Sequence, residues 1–428
     1  MSDQPVVRPV PVSGFPEWLP HVRMVELRWL DGIRAAFERY GFCSVETPAV
    51  ERVEVLLAKG ETSNEVYTLG RAQGSEEGQL GLHFDLTVPF ARYAAQHFNE
   101  LVFPFKRYQV QRVWRGERPQ DGRFREFTQC DIDVINVDEV PLHFDAELPR
   151  IIHEVLTSLD LPAWTINVNN RKVLQGFYEG LGIADPLDVI RAVDKIGKIG
   201  VDGVADLLVD RLKPEQVEAV LELARLRGGV EAVRKLGITS GLLEEGLEEL
   251  DFVLRELSDL PEVVADFSIA RGLDYYTGTV YEGNFVDWPE YGAICSGGRY
   301  ENLAGSFIRR SLPGVGMSIG LTRIFAKVLS AGLLDTGPST PTDVLVVLPK
   351  DGRQRATGTA KALRERGFNV ELYHQEDKLA KQVRYASRKG IPFVWFPPFE
   401  DGRPHEVKDL ATGVQTTADP ETWSRGQG

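Results

Sequence analysis

The segment RVWRGERPQDGRFREFTQCDID, residues 112–133, constrains the fold more than any other part of the chain. On either side of its turn, residues 105 to 115 and 126 to 136 are rich in strand-forming side chains. The Gly- and Pro-containing stretch RGERPQDGR between them predicts the turn itself. Strands joined by so short a connection pair antiparallel. With further strands predicted at 64 to 69 and 80 to 86, the sequence predicts a largely antiparallel sheet.

Helical patterns precede and follow these strands. Apolar residues recur at helical spacing between 21 and 40, and Gly41 stands where a left-handed residue ends a helix. Strand character returns at 266 to 282 and at 292 to 295, and a helix is predicted to begin near Gly320. This mixture of separate strands and helices indicates an α+β fold.

Changes in pattern divide the chain into domains. An α+β core with an antiparallel sheet is predicted from residues 1–170 and 263–330, and a charged helical insertion from residues 171–262. Residues 331–341 have the Gly, Ser, Thr and Pro content of a linker. Residues 342–428 form a separate C-terminal domain in this interpretation.

The C-terminal domain shows a clear alternation of strands and helices. In order, the predicted elements are DVLVVLP, a helix at 352–366, FNVELY, a helix at 377–389, IPFVWF, and a strand pair around VKDL and VQTT. A βαβαβ unit of this kind predicts an α/β domain with a mainly parallel or mixed sheet and right-handed crossovers.

Charge is distributed unevenly along the chain. The net charge of -14 argues against binding nucleic acid by bulk attraction, which requires clustered Lys and Arg. Residues 350–389 nevertheless contain 11 basic and 5 acidic side chains, whereas residues 171–262 contain 12 basic and 19 acidic ones. The C-terminal domain alone could therefore face phosphates, and scattered surface charge is the alternative interpretation.

Neither export nor membrane insertion is predicted. The N-terminal stretch MSDQPVVRPVPVSGFPEWLP has no basic segment followed by an apolar run, and nowhere do about 18 apolar residues follow one another. We therefore expect a cytoplasmic location.

The cysteines Cys43, Cys130 and Cys295 lie too far apart for a zinc motif, and we expect them to be small buried hydrophobic residues.

The familiar phosphate-binding loops are absent from the sequence. The pattern G-x-x-x-x-G-K-[ST] does not occur, and GVGMSIG misses the dinucleotide spacing by one residue.

The hairpin instead carries a cluster of arginines, namely Arg112, Arg115, Arg118, Arg123 and Arg125. The fork of donors on arginine suits phosphate and carboxylate oxygens, although an exposed charged hairpin is the simpler alternative. Alternation places Gln129, Asp131 and Asp133 on one face, which favours a site.

A second unusual stretch is ARGLDYYTGTVYE, residues 270–282. Its aromatic and β-branched residues predict a strand, and yet Arg271 and Asp274 stand beside two tyrosines. Charge taken out of water costs several kcal/mol unless it is paired, so the stretch is expected to face a charged ligand or partner.

These segments together resemble a known family. The arginine hairpin resembles motif 2 of the class II aminoacyl-tRNA synthetases, TPAVE is similar to their motif 1, and PGVGMSIGLTRIF is similar to motif 3. Within that class, RGLDYYTGTVYE, GGRYENL, FDLTVPFARY and VKDLATG resemble the histidyl-tRNA synthetases. The resemblance extends from about residue 22 to 426 and is weakest in the helical insertion.

The resemblance implies a role for each matching residue. The histidine-binding residues that it implies are Asp85, Thr87, Arg115, Gln129, Asp133, Arg271, Tyr275, Tyr276 and Tyr300. The ATP-binding residues that it implies are Arg115, Glu117, Arg123, Phe127 and Arg323. Arg115 and Arg271 would be catalytic, since they match the groups on the α-phosphate and the histidine carboxylate. No metal ligand from the protein is predicted.

The resemblance also implies the reaction and the partners. Histidine would attack the α-phosphorus of ATP, bound with Mg²⁺, to give histidyl-adenylate, and the histidyl group would then pass to the 3′ end of tRNA(His). Residues 342–428 would bind the anticodon, and the chain would form a homodimer through motif 1. These expectations describe a histidine--tRNA ligase that serves protein biosynthesis.

Two departures and two alternatives accompany this interpretation. His83 stands where the family customarily has an arginine, and the stretch at 70–81 is longer and more polar than expected, which puts the contacts of that loop in doubt.

One alternative is a histidine-sensing regulatory subunit of ATP phosphoribosyltransferase, but such paralogues usually lack the C-terminal domain. The other is a relative that charges Gly, Pro, Thr or Ser, against which the RGLDYYTG and GGRY segments argue.

Overall fold

The chain forms two compact units in a computed structural model. The model describes residues 7–58, 65–72, 79–270, 276–302, 304–400 and 402–425. One unit comprises Met1–Pro16 and Trp29–Leu333, and the other comprises Glu17–Arg28 and Leu334–Gly428. Within the described ranges, no helix is both long enough and apolar enough to cross a membrane.

The strands are numbered in chain order. They are β1 (Cys43–Ser44), β2 (Val50–Arg52), β3 (Thr68–Leu69), β4 (Leu80–Leu82), β5 (Phe105–Trp114), β6 (Glu126–Ile135), β7 (Trp164–Asn170), β8 (Val263–Ala265), β9 (Tyr276–Phe285), β10 (Cys295–Tyr300), β11 (Gly314–Gly320), β12 (Val344–Val346), β13 (Val370–Leu372), β14 (Phe393–Phe396), β15 (Glu406–Asp409) and β16 (Gln415–Thr417).

The α-helices are numbered in the same way. They are α1 (Pro20–Arg39), α2 (Val53–Leu56), α3 (Thr87–Gln96), α4 (His143–Ser158), α5 (Arg171–Gly180), α6 (Pro186–Val193), α7 (Ile196–Leu208), α8 (Pro214–Arg225), α9 (Glu231–Arg234), α10 (Gly241–Glu256), α11 (Leu321–Ser330), α12 (Arg353–Glu365) and α13 (Leu379–Lys389).

An eight-stranded sheet is the centre of the larger unit. Its order is β1-β5-β6-β11-β10-β9-β7-β8. All neighbours from β5 to β7 pair antiparallel, whereas β1 runs parallel to β5 and β8 runs parallel to β7. The prediction of a largely antiparallel sheet in an α+β domain is therefore confirmed, and the two edge pairs make the sheet mixed. A small sheet, β2-β4-β3, lies in the same unit.

The two faces of β6 have different chemistry. Cys130, Ile132 and Val134 are fully buried on one face, and the same strand is contacted by α11. Asp131 and Asp133 point to the opposite face because side chains alternate along a strand, and both are only 4% exposed. One strand therefore supplies the apolar core on one side and buried carboxylates on the other.

The segment from α5 to α10 is helical, as the sequence predicts. Helices α5 and α10 pack so closely that a Cβ atom at Gly176 would overlap the backbone of Leu243, and one at Gly246 would lie 2.6 Å from the nitrogen of Val173. Only glycine allows this approach of the two helices.

The smaller unit contains the predicted βαβαβ arrangement. Its sheet has the order β13-β12-β14-β15-β16, in which the first three strands are parallel and the last three antiparallel. Trp395 is fully buried in the core beside the fully buried strand β12. The prediction of an α/β domain with a mixed sheet is confirmed.

Some local predictions were wrong. The strand predicted at 80 to 86 ends at Leu82, and helix α3 follows it without having been predicted. Cys43 is exposed rather than buried, as had been expected of all three cysteines. Helix α4 and strand β7 were not predicted either. The strand expected from 266 was wrong for residues 266–270, which form an isolated bridge at Asp266 followed by a turn. Residues 271–275 lie outside the described part of the chain, and strand β9 begins at Tyr276.

Candidate active site

A cavity of about 340 Å³ lies on the polar face of the large sheet. The residues that line it are Glu65, Phe84, Asp85, Thr87, Arg115, Gln129, Asp131, Asp133, Tyr276, Tyr281, Glu282, Ala293, Ser296, Gly297, Tyr300, Gly316, Met317 and Ser318. Most of them come from four neighbouring strands, β6, β9, β10 and β11, and from the start of α3, while Glu65, Arg115 and Ala293 lie on connecting segments. The sheet therefore gathers segments that are nearly 200 residues apart in the sequence.

The start of α3 provides a polar corner of this cavity. The Val88 amide donates a hydrogen bond to Oδ1 of Asp85, over 3.1 Å, so the carboxylate satisfies one of the free N–H groups of the first turn. Thr87 is the first residue of the helix. Asp85 and Thr87 both line the cavity, so the turn that begins the helix also positions these two side chains at the site.

Strand β6 provides the floor of the cavity with Gln129, Asp131 and Asp133. Nε2 of Gln129 donates to Oγ of Ser318 on β11 at 2.9 Å. Burial raises the pKa of Asp131, and the charge of the buried Arg107 opposes that shift. The predicted row of polar side chains on one face is thus present, with Asp131 and Asp133 buried and Gln129 half-buried.

Asp133 is held by groups from other strands. The Tyr300 hydroxyl donates to its Oδ1 at 3.0 Å. Burial, together with the charge of Asp133, raises the pKa of Tyr300 well above its ordinary value, so the phenol keeps its proton and can donate. A Cβ atom at Gly316 would overlap Oδ1 of Asp133, and glycine at this position leaves room for the carboxylate.

A second cavity of about 160 Å³ adjoins the first. It is lined by Glu117, Arg123, Phe127 and Arg323, and the two cavities share Arg115. Its walls combine an aromatic face with several guanidinium groups. This chemistry suits a planar base with attached phosphates.

Arg115 stands at the junction of the two cavities. Its Nε donates to the carbonyl oxygen of Phe84 at 3.0 Å, and its Cζ lies 5.1 Å from the centroid of the Phe127 ring. One hydrogen bond and one aromatic face therefore orient the guanidinium, while its remaining N–H groups can serve an anion that spans both cavities.

Arg323, on α11, is anchored by backbone carbonyl groups. Its Nε donates to Gly122 at 2.7 Å and its Nη1 to Ala293 at 2.6 Å. Burial lowers the pKa of Arg323, although a guanidinium remains protonated in a protein. Oε2 of Glu117 and Nη1 of Arg123 lie 3.9 Å apart on the hairpin connection. The hydrogen bond from Arg323 to the Gly122 carbonyl holds the same connection in place.

The structure brings together the predicted residues that it describes. The amino-acid set lines the first cavity with Asp85, Thr87, Arg115, Gln129, Asp133, Tyr276 and Tyr300, and the nucleotide set lines the second. Arg271 and Tyr275 lie outside the described residues. The contacts of each side chain with substrate remain predictions.

Sequence reasoning gave no role to several lining residues, among them Asp131 and Glu282, and did not single out Arg107, which lies behind the cavity. Arg107 is fully buried on β5 and pairs with Asp133, while Asp131, although recognised as part of the polar row, was assigned no function. A signal was available in the hairpin register, which sets Arg107 opposite Asp133 and Gln109 opposite Asp131. Two polar rows therefore face the same side of neighbouring strands.

His83, where the family customarily has an arginine, is buried beside the site. Its Nε2 lies 2.7 Å from the carbonyl oxygen of Arg112, to which the ring can only donate. Burial lowers the pKa of His83, which fits a neutral ring whose Nε2 carries the proton. The polar loop that was noted as a departure lies partly outside the described residues, at 73–78.

A central antiparallel sheet that carries an arginine hairpin, a Gly-rich strand leading into α11 and these two joined cavities defines a class II aminoacyl-tRNA synthetase. The family model for histidyl-tRNA synthetase matches residues 14–324, and the anticodon binding domain model matches residues 343–419. The chain belongs to the histidyl-tRNA synthetase family.

Named relatives agree with this assignment. The chain is 69% identical to the histidine--tRNA ligase of Thermobifida fusca, over 99% of this chain and 100% of the relative. It is 47% identical to the histidine--tRNA ligase of Micrococcus luteus, over 97% and 96% of the two chains. The crystal structure of histidyl-tRNA synthetase from Nostoc sp. PCC 7120 superposes with a TM-score of 0.87 at 39% identity, covering 96% of this chain and 97% of the other.

Proposed function

We propose that the chain is a histidine--tRNA ligase. It activates L-histidine with ATP to histidyl-adenylate and then transfers the histidyl group to the 3′ end of tRNA(His). The observation that carries this function is the pair of adjoining cavities that share Arg115, one rich in carboxylates and one rich in guanidinium groups. An amino acid and a nucleotide bound in them would meet at that arginine.

The first step needs no nucleophile from the protein. The histidine carboxylate attacks the α-phosphorus of ATP and pyrophosphate leaves, so the protein has to align the reactants and stabilise developing negative charge. Arg115 is oriented for this role by Phe84 and Phe127. A preorganised donor of this kind contributes on the order of 10² to 10³ in rate.

The first cavity suits a histidine substrate. In this proposal Asp85, Thr87 and Gln129 accept or orient the α-ammonium group, while Asp133 and Tyr276 face the imidazole. A pocket built to pair with ring N–H groups rejects isosteres that lack them by roughly 10⁴ to 10⁵, because buried polar groups would be left unpaired. Such a pocket needs no separate editing site.

The second cavity suits ATP. Phe127 and Arg323 would lie against the adenine, Glu117 would recognise its edge, and Arg123 would reach the outer phosphates. No group of three or more potential metal ligands occurs among the residues that the structure describes. We propose that Mg²⁺ enters with ATP as part of the substrate, held by phosphate oxygens.

Two further residues enter the proposal through the family resemblance. Arg271 would approach the histidine carboxylate and the α-phosphate, and Tyr275 would line the amino-acid pocket. The strand that follows them, β9, carries Tyr276 into the first cavity, which supports their assignment to this region.

The domain assignments belong to the same proposal. Residues 1–170 and 263–330 would form the catalytic core, residues 171–262 the helical insertion, residues 331–341 the linker, and residues 342–428 the anticodon-binding domain. The match of the anticodon binding domain model to residues 343–419 supports the last of these. Because charging of tRNA serves cytoplasmic translation, we propose a cytoplasmic enzyme.

We also propose that the chain acts as a homodimer. The support is the TPAVE stretch, residues 47–51, which follows the first helix and resembles motif 1 of the class. Sedimentation should then give a mass near twice the 47.8 kDa of one chain. A single-chain mass at the enzyme concentration used in assays would contradict the dimer and leave the reaction itself untouched.

Histidine-dependent exchange of pyrophosphate into ATP tests the activity. We expect exchange with the wild type and a loss of 10² to 10³ for Arg115→Ala. Arg112→Ala is the matched control, because this hairpin arginine is exposed and pairs with Glu126 at 2.9 Å. Absence of exchange in the wild type would exclude the ligase and favour the histidine-sensing regulatory alternative.

A further inference from the structure

A fully buried arginine lies behind the amino-acid pocket. Arg107 is 0% exposed on the central strand β5 and does not itself line the cavity. An unpaired buried charge would cost several kcal/mol, so its surroundings must compensate it. They do so with residues that line the pocket.

The contacts of Arg107 are with the two aspartates of β6. Its Nη2 lies 2.7 Å from Oδ2 of Asp133 and 4.0 Å from Oδ2 of Asp131. The first contact is an ion pair and not an aligned hydrogen bond. Nη1 donates to Oε1 of Gln109 at 3.3 Å, and the guanidinium lies over the Phe90 ring, 4.3 Å from its centroid. The side chain is thereby confined between neighbouring elements.

One guanidinium faces two carboxylates in this cluster. Each aspartate is only 4% exposed, and both line the cavity. Oδ1 of Asp131 is buried and accepts no hydrogen bond from any residue that the structure describes. Arg115 and Ser318, which line the same cavity, also act on Asp131. The cluster therefore presents two carboxylates around one buried guanidinium and an open acceptor at Oδ1 of Asp131, which suits a ligand that carries N–H donors.

We propose that Arg107 is a positioning residue that holds Asp133 and Asp131 as oriented carboxylates, so that together they accept the N–H groups of the amino-acid substrate. The inference rests on the proposed function and adds Asp131 to the substrate-binding residues. Asp133 is then fixed on both oxygens, by Tyr300 at Oδ1 and by Arg107 at Oδ2. Asp131 contributes the second negative charge.

A purely structural ion pair between strand β10 of the same sheet and helix α4 provides the comparison. Arg299 donates from Nε to Oδ1 of Asp145 at 3.1 Å, and its Nη1 donates to the carbonyl oxygen of Val140 at 2.9 Å. This pair is balanced one to one, and neither side chain lines the cavity. Removing Arg299 should therefore affect folding and leave substrate selectivity unchanged.

Steady-state exchange kinetics with Arg107→Met, Arg107→Lys and Arg299→Met test the proposal. For Arg107→Met we expect the KM for histidine to rise about 10- to 100-fold, by analogy with the loss of partners that orient metal ligands. The KM for ATP should stay within about twofold of wild type. Arg107→Lys keeps the charge and should recover part of the affinity. Arg299→Met should lower the thermal midpoint without a selective change in the KM for histidine.

A second pair of variants keeps the test informative if Arg107→Met fails to fold. Arg107→Met combined with Asp131→Asn removes one positive and one negative charge, and its KM for histidine should be at least about tenfold above that of Asp131→Asn alone. Equal values in this pair, or equal rises for histidine and ATP, would overturn the role of Arg107. Wild-type exchange would still support the proposed reaction, so the two failures are distinguishable.

Discussion

Single side chains in this pocket depend on neighbours from distant parts of the chain. Asp133 is approached by Tyr300 from β10, by Arg107 from β5 and by the open side of Gly316 on β11. A carboxylate restrained in this way loses little orientational freedom when a ligand binds. Preorganisation of this kind lowers the cost of binding an N–H donor.

Tyr300→Phe should weaken histidine binding. The variant removes the hydroxyl that donates to Asp133, and a hydrogen bond to a charged group contributes about 1.5–3 kcal/mol. We expect the KM for histidine in pyrophosphate exchange to rise about tenfold or more. Tyr178→Phe is the control, since the Tyr178 hydroxyl is buried without a hydrogen-bond partner among the described residues. Similar kinetics for the two variants would contradict a role for the Tyr300 hydroxyl.

His83 should make the stability of the larger unit depend on pH. Burial lowers its pKa below the ordinary value of 6.5, so the unfolded chain binds more protons between that value and the folded pKa. Stability should therefore fall as the pH drops through this window, by at most about 1.4 kcal/mol per pH unit.

Thermal midpoints of the wild type and of His83→Gln, measured between about pH 5 and pH 7, test this expectation. The variant should lose less stability on acidification because it no longer carries the buried imidazole. His143→Gln is the control, since this histidine is exposed at the start of α4. Parallel curves for wild type and His83→Gln would show that His83 does not contribute.

At the level of secondary structure, the register of the β5-β6 hairpin organises the pocket floor. Arg107 pairs with Asp133, Gln109 with Asp131 and Gln111 with Gln129. Side chains of paired residues project to the same face, so a polar row on one strand lies beside a polar row on the next. A slip of one residue would turn the whole row of β6 into the apolar face.

A buried glutamine links helix to strand in the C-terminal unit. Gln382, on α13, accepts a hydrogen bond from the Leu348 amide at 2.8 Å and donates one to the Leu348 carbonyl at 2.9 Å. Gln382→Ala would leave both backbone groups buried and unpaired, at about 1–3 kcal/mol each.

We therefore expect Gln382→Ala to lower the unfolding free energy of this unit by about 2–6 kcal/mol, measured by scanning calorimetry. Gln375→Ala is the matched control, because Gln375 is exposed shortly before the same helix. Equal unfolding transitions for the two variants would show that the bridge to Leu348 does not stabilise the unit.

For the molecule as a whole, tRNA charging requires contacts with tRNA phosphates, and amino-acid activation does not. The chain as a whole is acidic, while the basic excess lies between residues 350 and 389 in the C-terminal unit. Arg384 and Arg388 are exposed and four residues apart on α13, hence on one face of that helix. This face is suited to phosphate contacts.

The double variant Arg384→Glu with Arg388→Glu should therefore separate the two steps. We expect charging at low tRNA concentration to fall about tenfold or more, because two favourable charges become repulsive, while exchange stays within about twofold of wild type. The double replacement by lysine keeps the charge and should retain charging. A parallel loss of both activities would count against RNA binding by this face.

Local patterns in the sequence determined a large part of this protein. The hairpin, the βαβαβ unit and the helical character of the segment from α5 to α10 follow from side-chain period and turn residues, which act over short distances along the chain. The resemblance of the motifs also named several of the residues that line the two cavities, among them Asp85, Asp133 and Arg323. Helix α3 was not predicted. The residues directly before its start at Thr87 were interpreted as a strand, and no helical pattern precedes the helix.

Only the tertiary structure decided which charges share the pocket. Arg107 appears in the sequence as one more charged residue of a strand, and its pairing with Asp133 depends on the strand register and on burial from both faces. Tyr300 reaches the same carboxylate because β11 lies next to β6 and β10 lies next to β11, an order that the chain order does not indicate. The physical reason is that electrostatic compensation in a low-dielectric interior depends on distance in space, and long-range strand order sets that distance.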